Sequence, residues 1–213
     1  MKRQELAEIV AQEPMFTTGM LLGPGIDSAN IRKQLSRWVA QGLVVQLRRG
    51  LYVLGDEHRR IEPHPYEISN RLAPGSYVSL ETVLGEMGLI PEAVVVTTAV
   101  TTGKQGVVRT RFGQFLYQHV KGALFWGYEA REIAPGRTAF VALPEKALLD
   151  MAYLRAYSDQ RAFVDSLRLQ HLGVLDLERL HTFAQRFESP KVARFAARVV
   201  RLASLEGGEF EGE

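Results

Sequence analysis

Between Asp27 and Asp56 the chain carries no acidic residue, yet it holds Arg32, Lys33, Arg37, Arg48 and Arg49. Inside that gap the apolar spacing changes from helical to extended at Gly42. Ile31, Leu35, Trp38 and Val39 fall at i, i+4, i+7 and i+8, the buried stripe of a helix that Asp27 or Ser28 can cap and Gly42 can stop. Leu43 to Leu47 and Leu51 to Leu54 then read as two short strands joined by Arg48-Arg49-Gly50, with Gly50 able to take a positive φ. Upstream, residues 2–12 have helical spacing ended by Pro14, and a short second helix carries Met20, Leu21 and Leu22 before the breaker Gly23-Pro24-Gly25. Three helices followed by a hairpin with a basic tip is the order of a winged helix-turn-helix.

The third helix has a second stripe, Asn30, Lys33, Gln34, Arg37 and Gln41, with no acidic member. A solvated helix face ordinarily interleaves Glu with Lys for mutual support. Arg and Lys instead match guanine edges, and Asn and Gln match adenine. Arg48 and Arg49 at the hairpin tip would reach phosphates or the minor groove. The same residues could form a merely solvated face and a solubility device. Their adjacency favours a polyanion, and double-stranded DNA, as inverted-repeat operators, is the expected partner.

Beyond a polar, proline-flanked stretch near residues 55–65, the pattern becomes mixed α/β. Helices are expected at 66–72 and, with Ser79 as its cap, through about Met87. Strands are expected at 93–100, 107–111, 115–120, 124–128 and 138–142. From Pro144 the chain turns helical, at 145–155, 158–169, 175–186 and 190–204. The expected class is α+β: a winged helix-turn-helix over 1–57, a mixed α/β domain with C-terminal helices over 65–205, and a short acidic tail over 206–213. With 46% hydrophobic and 23% charged residues, this is ordinary globular composition.

Other functions find little support. The absence of cysteine excludes disulfides, thiolate metal sites and thiol nucleophiles. His58, His64, His119, His171 and His181 form no HExxH or short His pair, so no metal is expected. No GxSxG or GxGxxG occurs, and Thr97 to Lys104 lacks P-loop glycine spacing. Lys146 and Asp150 are helical neighbours of types that can hold a phosphate or a metal, but a surface ion pair is the simpler reading. Lys191, Arg194, Arg198 and Arg201 make a basic stripe on the last helix, either solvated or facing a partner. Phe112, Phe115, Tyr117, Phe125, Trp126 and Tyr128 read first as core and sheet packing. No cofactor and no catalytic residue is expected. The charged start is unlike a signal peptide and no apolar run could span a membrane, so a cytoplasmic location is expected.

The segments LSRWVAQGLVVQLRRGLYVL, SYVSLETVLGEMGLIPE, VVTTAVTTGK, LFWGY and ALPEKALLDMAYL, in that order, resemble the AbiEi-type antitoxins of bacterial abortive-infection systems. The resemblance covers residues 1–155. It implies a DNA-binding repressor of its own toxin–antitoxin operon, and a nucleotidyltransferase-like toxin neutralised without a stable complex. The positions matching the family's DNA-contacting element are the stripe of the third helix and Arg48-Arg49. The alternatives are a protein-interaction module that uses the winged helix on a partner, and a nucleotide-handling enzyme using Lys146 and Asp150.

Overall fold

The computed structural model describes residues 3–10, 12–23 and 27–210. Pro24, Gly25 and residues 211–213 of the expected acidic tail lie outside the described residues. Tertiary contacts divide the chain into two compact units, Met1–Leu72 and Ala73–Glu213.

In the first unit, α1 (Arg3–Val10) is followed by β1 (Phe16–Thr17), α2 (Ser28–Ala40), β2 (Val44–Arg48), β3 (Leu51–Leu54) and α3 (Pro65–Leu72). The expected second helix is only a 3-10 turn, Thr18–Leu21. Phe16 and Thr17 pair instead with Tyr52 and Leu51, making an antiparallel three-stranded sheet in the order β1-β3-β2. The chain there is too short between Pro14 and Gly23 to hold both a strand and a longer helix. Leu6, Val10, Phe16, Leu21, Ile31, Leu35, Trp38, Val44, Tyr52 and Leu54 form one core, so the apolar stripe of α2 is buried as its spacing requires. The Asp27 side chain caps α2 by accepting from the Ala29 N–H at 2.9 Å. The first unit also takes in α3, which the sequence places at the head of the second domain.

The second unit contains a mixed six-stranded sheet in the order β6-β7-β5-β4-β9-β8. Its strands are β4 (Ser76–Val78), β5 (Thr97–Thr101), β6 (Gly106–Thr110), β7 (Gly113–His119), β8 (Tyr128–Ala134) and β9 (Arg137–Ala142). Its helices are α4 (Glu81–Glu86), α5 (Pro144–Leu154), α6 (Arg161–Ser166), α7 (Leu177–Arg186) and α8 (Pro190–Phe210). The chain is therefore mixed α and β with a helical C-terminal segment. α5 packs against α4, α7, α8 and β9 and is buried on nearly every side.

Three local expectations fail for identifiable reasons. Residues 93–96 lie outside β5 and Val95 is 89% exposed, because β-branched apolar residues there wall a cavity instead of joining the sheet. Residues 122–124 form a 3-10 turn and the next strand starts only at Tyr128, since Leu124 and Trp126 are drawn into the core without a ladder partner. Ser79 does not cap α4; that position falls to Leu80, at φ 59°, and the Ser79 hydroxyl turns to Asp150.

The last helix runs through most of the stretch expected as an acidic tail, to Phe210. Glu206 belongs to the fold, accepting from the backbone N–H groups of His171 at 2.9 Å and Leu172 at 2.6 Å.

Candidate nucleic-acid interface

The geometry of α2 follows from its buried stripe. With Ile31, Leu35 and Trp38 facing the core, residues 30, 33, 37 and 41 are turned outward. Asn30, Lys33, Arg37 and Gln41 are exposed and Gln34 is half-buried. The side chains of Lys33 and Arg37, one turn apart, make no hydrogen bond or ion pair among the described residues, and α2 contains no carboxylate. Arg32, on the same helix, is folded back: its guanidinium donates to the Ser28 carbonyl at 3.1 Å and to the Ser28 hydroxyl at 2.9 Å.

The hairpin presents its arginines through a register shift between Gln46 and Arg48. The extra residue, Leu47, is buried, while Gln46, Arg48 and Arg49 are exposed. Gly50 closes the tip at φ 81°, a conformation that a side chain would strain. The two arginines are not equivalent. Arg48 donates from Nε to the Arg71 carbonyl at the end of α3, at 3.2 Å, which leaves its terminal nitrogens for another acceptor. Arg49 has no partner among the described residues.

The polar residues singled out in the second unit are arranged differently. Lys146 and Asp150 are paired, as their spacing predicts, but both are fully buried and not on the surface. The reason is that α5 is enclosed by sheet and helices, so its polar positions have to be satisfied inside. The Lys146 ammonium donates to the Asp150 carboxylate and, at 2.8 Å, to the Tyr77 hydroxyl. Tyr77 in turn donates to Asp150 at 3.0 Å, and Ser79 donates to the same oxygen at 2.9 Å. Tyr77 and Ser79 reach one carboxylate because residues two apart in extended chain share a face.

Lys146 Nζ also lies 4.9 Å from the ring centres of Trp126 and Phe187, and Arg186 stacks on the Trp126 ring at 4.3 Å. Gly127, at φ 75°, allows the backbone to pass the Lys146 stem; an added Cβ there would come within 3.0 Å of it. Burial, then the Asp150 charge, holds the Tyr77 phenol far above its ordinary range. Burial also pushes the Lys146 ammonium below its ordinary value, opposed by Asp150, and pushes the Asp150 carboxyl up, opposed by Lys146. An enclosed network of this kind gives a phosphate or metal no access in this conformation.

The basic stripe of α8 is largely spent on the fold. Lys191 donates to the carbonyls of Tyr153 at 2.8 Å and Arg155 at 2.7 Å, satisfying the C-terminal end of α5. Arg194 pairs with the Asp159 carboxylate at 2.8 Å and Arg198 donates to the Asp159 carbonyl at 2.9 Å. Arg201 alone of the four is exposed without a partner among the described residues. Thr98 is likewise structural, its hydroxyl donating to the Ser79 carbonyl at 2.6 Å. Glu145, on the same helix as Lys146 and Asp150, has a buried carboxylate that takes two N–H groups from Arg179 at 3.0 and 3.1 Å and the Asp176 backbone N–H at 2.8 Å. Nothing in the local sequence signals that pairing.

A helical unit closed by a three-stranded sheet, with an outward cationic helix and a basic hairpin, is of the winged helix-turn-helix class. Residues 4–55 match the family model described as "Transcriptional regulator, AbiEi antitoxin". The chain is similar in fold to the crystal structure of the RV2827C protein from Mycobacterium tuberculosis, with a TM-score of 0.55 and 15% identity, over 94% of this chain and 76% of that one. No curated protein matches the sequence. No described helix is long and apolar enough to cross a membrane.

Proposed function

We propose that this chain is a DNA-binding transcriptional repressor of its own operon and the antitoxin of a toxin–antitoxin pair. The observation that carries the reading is the outward face of α2, where Lys33 and Arg37 stand exposed and unpaired on a helix without a carboxylate. In this reading α2 lies in the major groove with Asn30, Lys33, Gln34, Arg37 and Gln41 toward the base edges. Arg49 and the free end of Arg48 hold phosphates or the adjacent minor groove. The DNA-binding part is residues 1–57, and the α/β part over 65–205 serves the antitoxin role. The match of residues 4–55 to a family of antitoxin regulators supports the assignment. A nucleotidyltransferase-like toxin, neutralised without a stable complex, is the partner that the family resemblance implies. No catalytic role is assigned to the chain.

Mobility-shift titration of the full chain tests this, with duplex from upstream of its own gene against a scrambled duplex of equal length. Preferential binding to the upstream duplex, weakened by Arg37→Ala, is the expected result. Equal affinity for both duplexes, or none, would discard the assignment.

A second reading, docking of the winged helix on a protein, draws on the exposed apolar side chains Ile9, Met20 and Leu22 in the same unit. Co-elution with the neighbouring gene's product, without operator binding, would favour it.

A further inference from the structure

A cleft of about 280 Å³ lies in the second unit between α6 and the C-terminal half of α8. Its volume is close to the lower bound for small-molecule sites, about 300 Å³, so it admits one compact molecule. Arg161, Val164 and Asp165 fall at i, i+3 and i+4 on α6, so one face of that helix lines it. Arg198, Arg201, Leu202 and Leu205 do the same from α8. Val164 is buried, Leu202 half-buried and Leu205 exposed, which gives the cleft an apolar strip from its depth to its mouth.

The charges of the lining are not balanced. Three guanidinium groups meet one carboxylate, a net +2. Arg161 is spent on Asp165, its Nε lying 3.3 Å from Oδ2. Arg198 uses only Nε, which donates to the Asp159 carbonyl at 2.9 Å, and its terminal nitrogens make no hydrogen bond among the described residues. Arg201, one turn further on, is exposed with no partner among them. Two guanidinium ends therefore stand on one helix face without an acceptor. The Nε bond restrains Arg198 before any ligand arrives, so an anion has less side-chain order to impose.

We propose that this cleft binds a small organic phosphate monoester, whose phosphate takes N–H groups from Arg198 and Arg201 while its apolar substituent lies against Val164, Leu202 and Leu205. A monoester carries nearly two negative charges near neutral pH and offers three oxygens, which matches the net +2 and the two open forks. A nucleic-acid backbone phosphate is a singly charged diester and meets the same groups only in part. The apolar strip favours a monoester over inorganic phosphate. The site is independent of the DNA reading, because none of its residues lies in α2 or the hairpin.

Calorimetric titration of the full chain with 1-naphthyl phosphate at low ionic strength tests this, with inorganic phosphate and 1-naphthylmethylamine as controls. The ester should bind saturably with Kd no weaker than about 1 mM, at least about tenfold more tightly than inorganic phosphate, and the amine should not bind. Arg201→Ala should weaken the ester at least about tenfold. Leu205→Glu, which brings a carboxylate beside the phosphate, should remove binding. Both positions are exposed, and thermal unfolding establishes that each variant is folded. The Lys33→Ala, Arg37→Ala double variant should bind the ester as the unmodified chain does, which separates this site from α2. Sedimentation with vesicles of equimolar phosphatidylcholine and phosphatidate distinguishes the source: pelleting abolished by Arg201→Ala marks a lipid headgroup, and saturable ester binding without pelleting marks a soluble ester. No saturable binding up to about 5 mM, equal affinity for the ester and either control, or affinity unchanged in a folded Arg201→Ala protein would overturn the proposal.

Discussion

On α2, Lys33 and Arg37 stand in solvent with no carboxylate on their helix. On α5, Lys146 is wholly enclosed, its charge divided between Asp150, the Tyr77 hydroxyl and the faces of Trp126 and Phe187. The presence of a lysine does not separate the two helices, since each carries one, Lys33 and Lys146. The separation comes from what surrounds them. An exposed cation costs the fold nothing and remains available to an external anion. A buried cation has to find every partner within the chain or forfeit its hydration. The same contrast recurs inside α8, where Lys191 caps α5 and only Arg201 remains open. Cationic stripes are therefore informative about ligands only once the internal acceptors have been counted.

Perturbing the enclosed network should give the largest effect. Asp150→Ala leaves the Lys146 ammonium buried without its carboxylate, and urea unfolding should show a loss of about 3–5 kcal/mol. The paired replacement Lys146→Met with Asp150→Leu should recover much of that loss, because it removes both charges and keeps the volume. Equal losses in the single and paired variants would mean that packing, not charge, holds α5 in place.

Arg179→Ala sharpens the comparison with a second buried carboxylate. Glu145 would retain only the Asp176 N–H, and a loss of about 1.5–3 kcal/mol of stability is expected in the same assay.

Arg37→Ala should do the reverse of both. Stability should change by less than about 0.5 kcal/mol, while affinity for the upstream duplex falls by about 1–3 kcal/mol if the guanidinium is bidentate to a guanine. Parallel unfolding and mobility-shift titrations separate the two quantities. A destabilised Arg37 variant would erase the distinction drawn between α2 and α5.

The smallest effect belongs to the exposed end of α8. The hydrogen bond from Arg194 holds the Asp159 carboxyl below the usual carboxylate range. A carboxyl with a depressed folded pKa contributes stability above its unfolded pKa, and that contribution is lost as pH falls through the folded value. Arg194→Ala should therefore leave the acid limb of the stability–pH curve shallower, with little change near neutrality, in unfolding curves recorded from pH 2 to pH 7.

What could be read from the sequence was what is local. The α2 stripe, its Asp27 cap and the β2–β3 hairpin all depend on residues within one or two turns of one another, and each stands close to where spacing places it. The helices of the second unit are legible for the same reason, with α6 shorter than expected at Arg161–Ser166. The pairing of Lys146 with Asp150 was legible too, but its burial was not. Tyr77 and Ser79 lie about seventy residues upstream, and only the β4–β9 pairing brings that segment beside the chain leading into α5. The Arg48 bond to the Arg71 carbonyl escaped for the same reason, and Arg48 and Arg49 read as equals until the fold divided them.

The most direct measurement is the salt dependence of operator affinity for the unmodified protein and for a Lys33→Ala, Arg37→Ala, Arg49→Ala variant, followed by fluorescence anisotropy. With Arg49 on a phosphate and Lys33 and Arg37 on base edges, the slope of log K against log salt should become shallower by about 0.9 in the variant, and its preference for the operator over a scrambled duplex should fall. Identical slopes together with an unchanged preference would contradict the claim that the outward face of α2 and the hairpin tip meet the duplex.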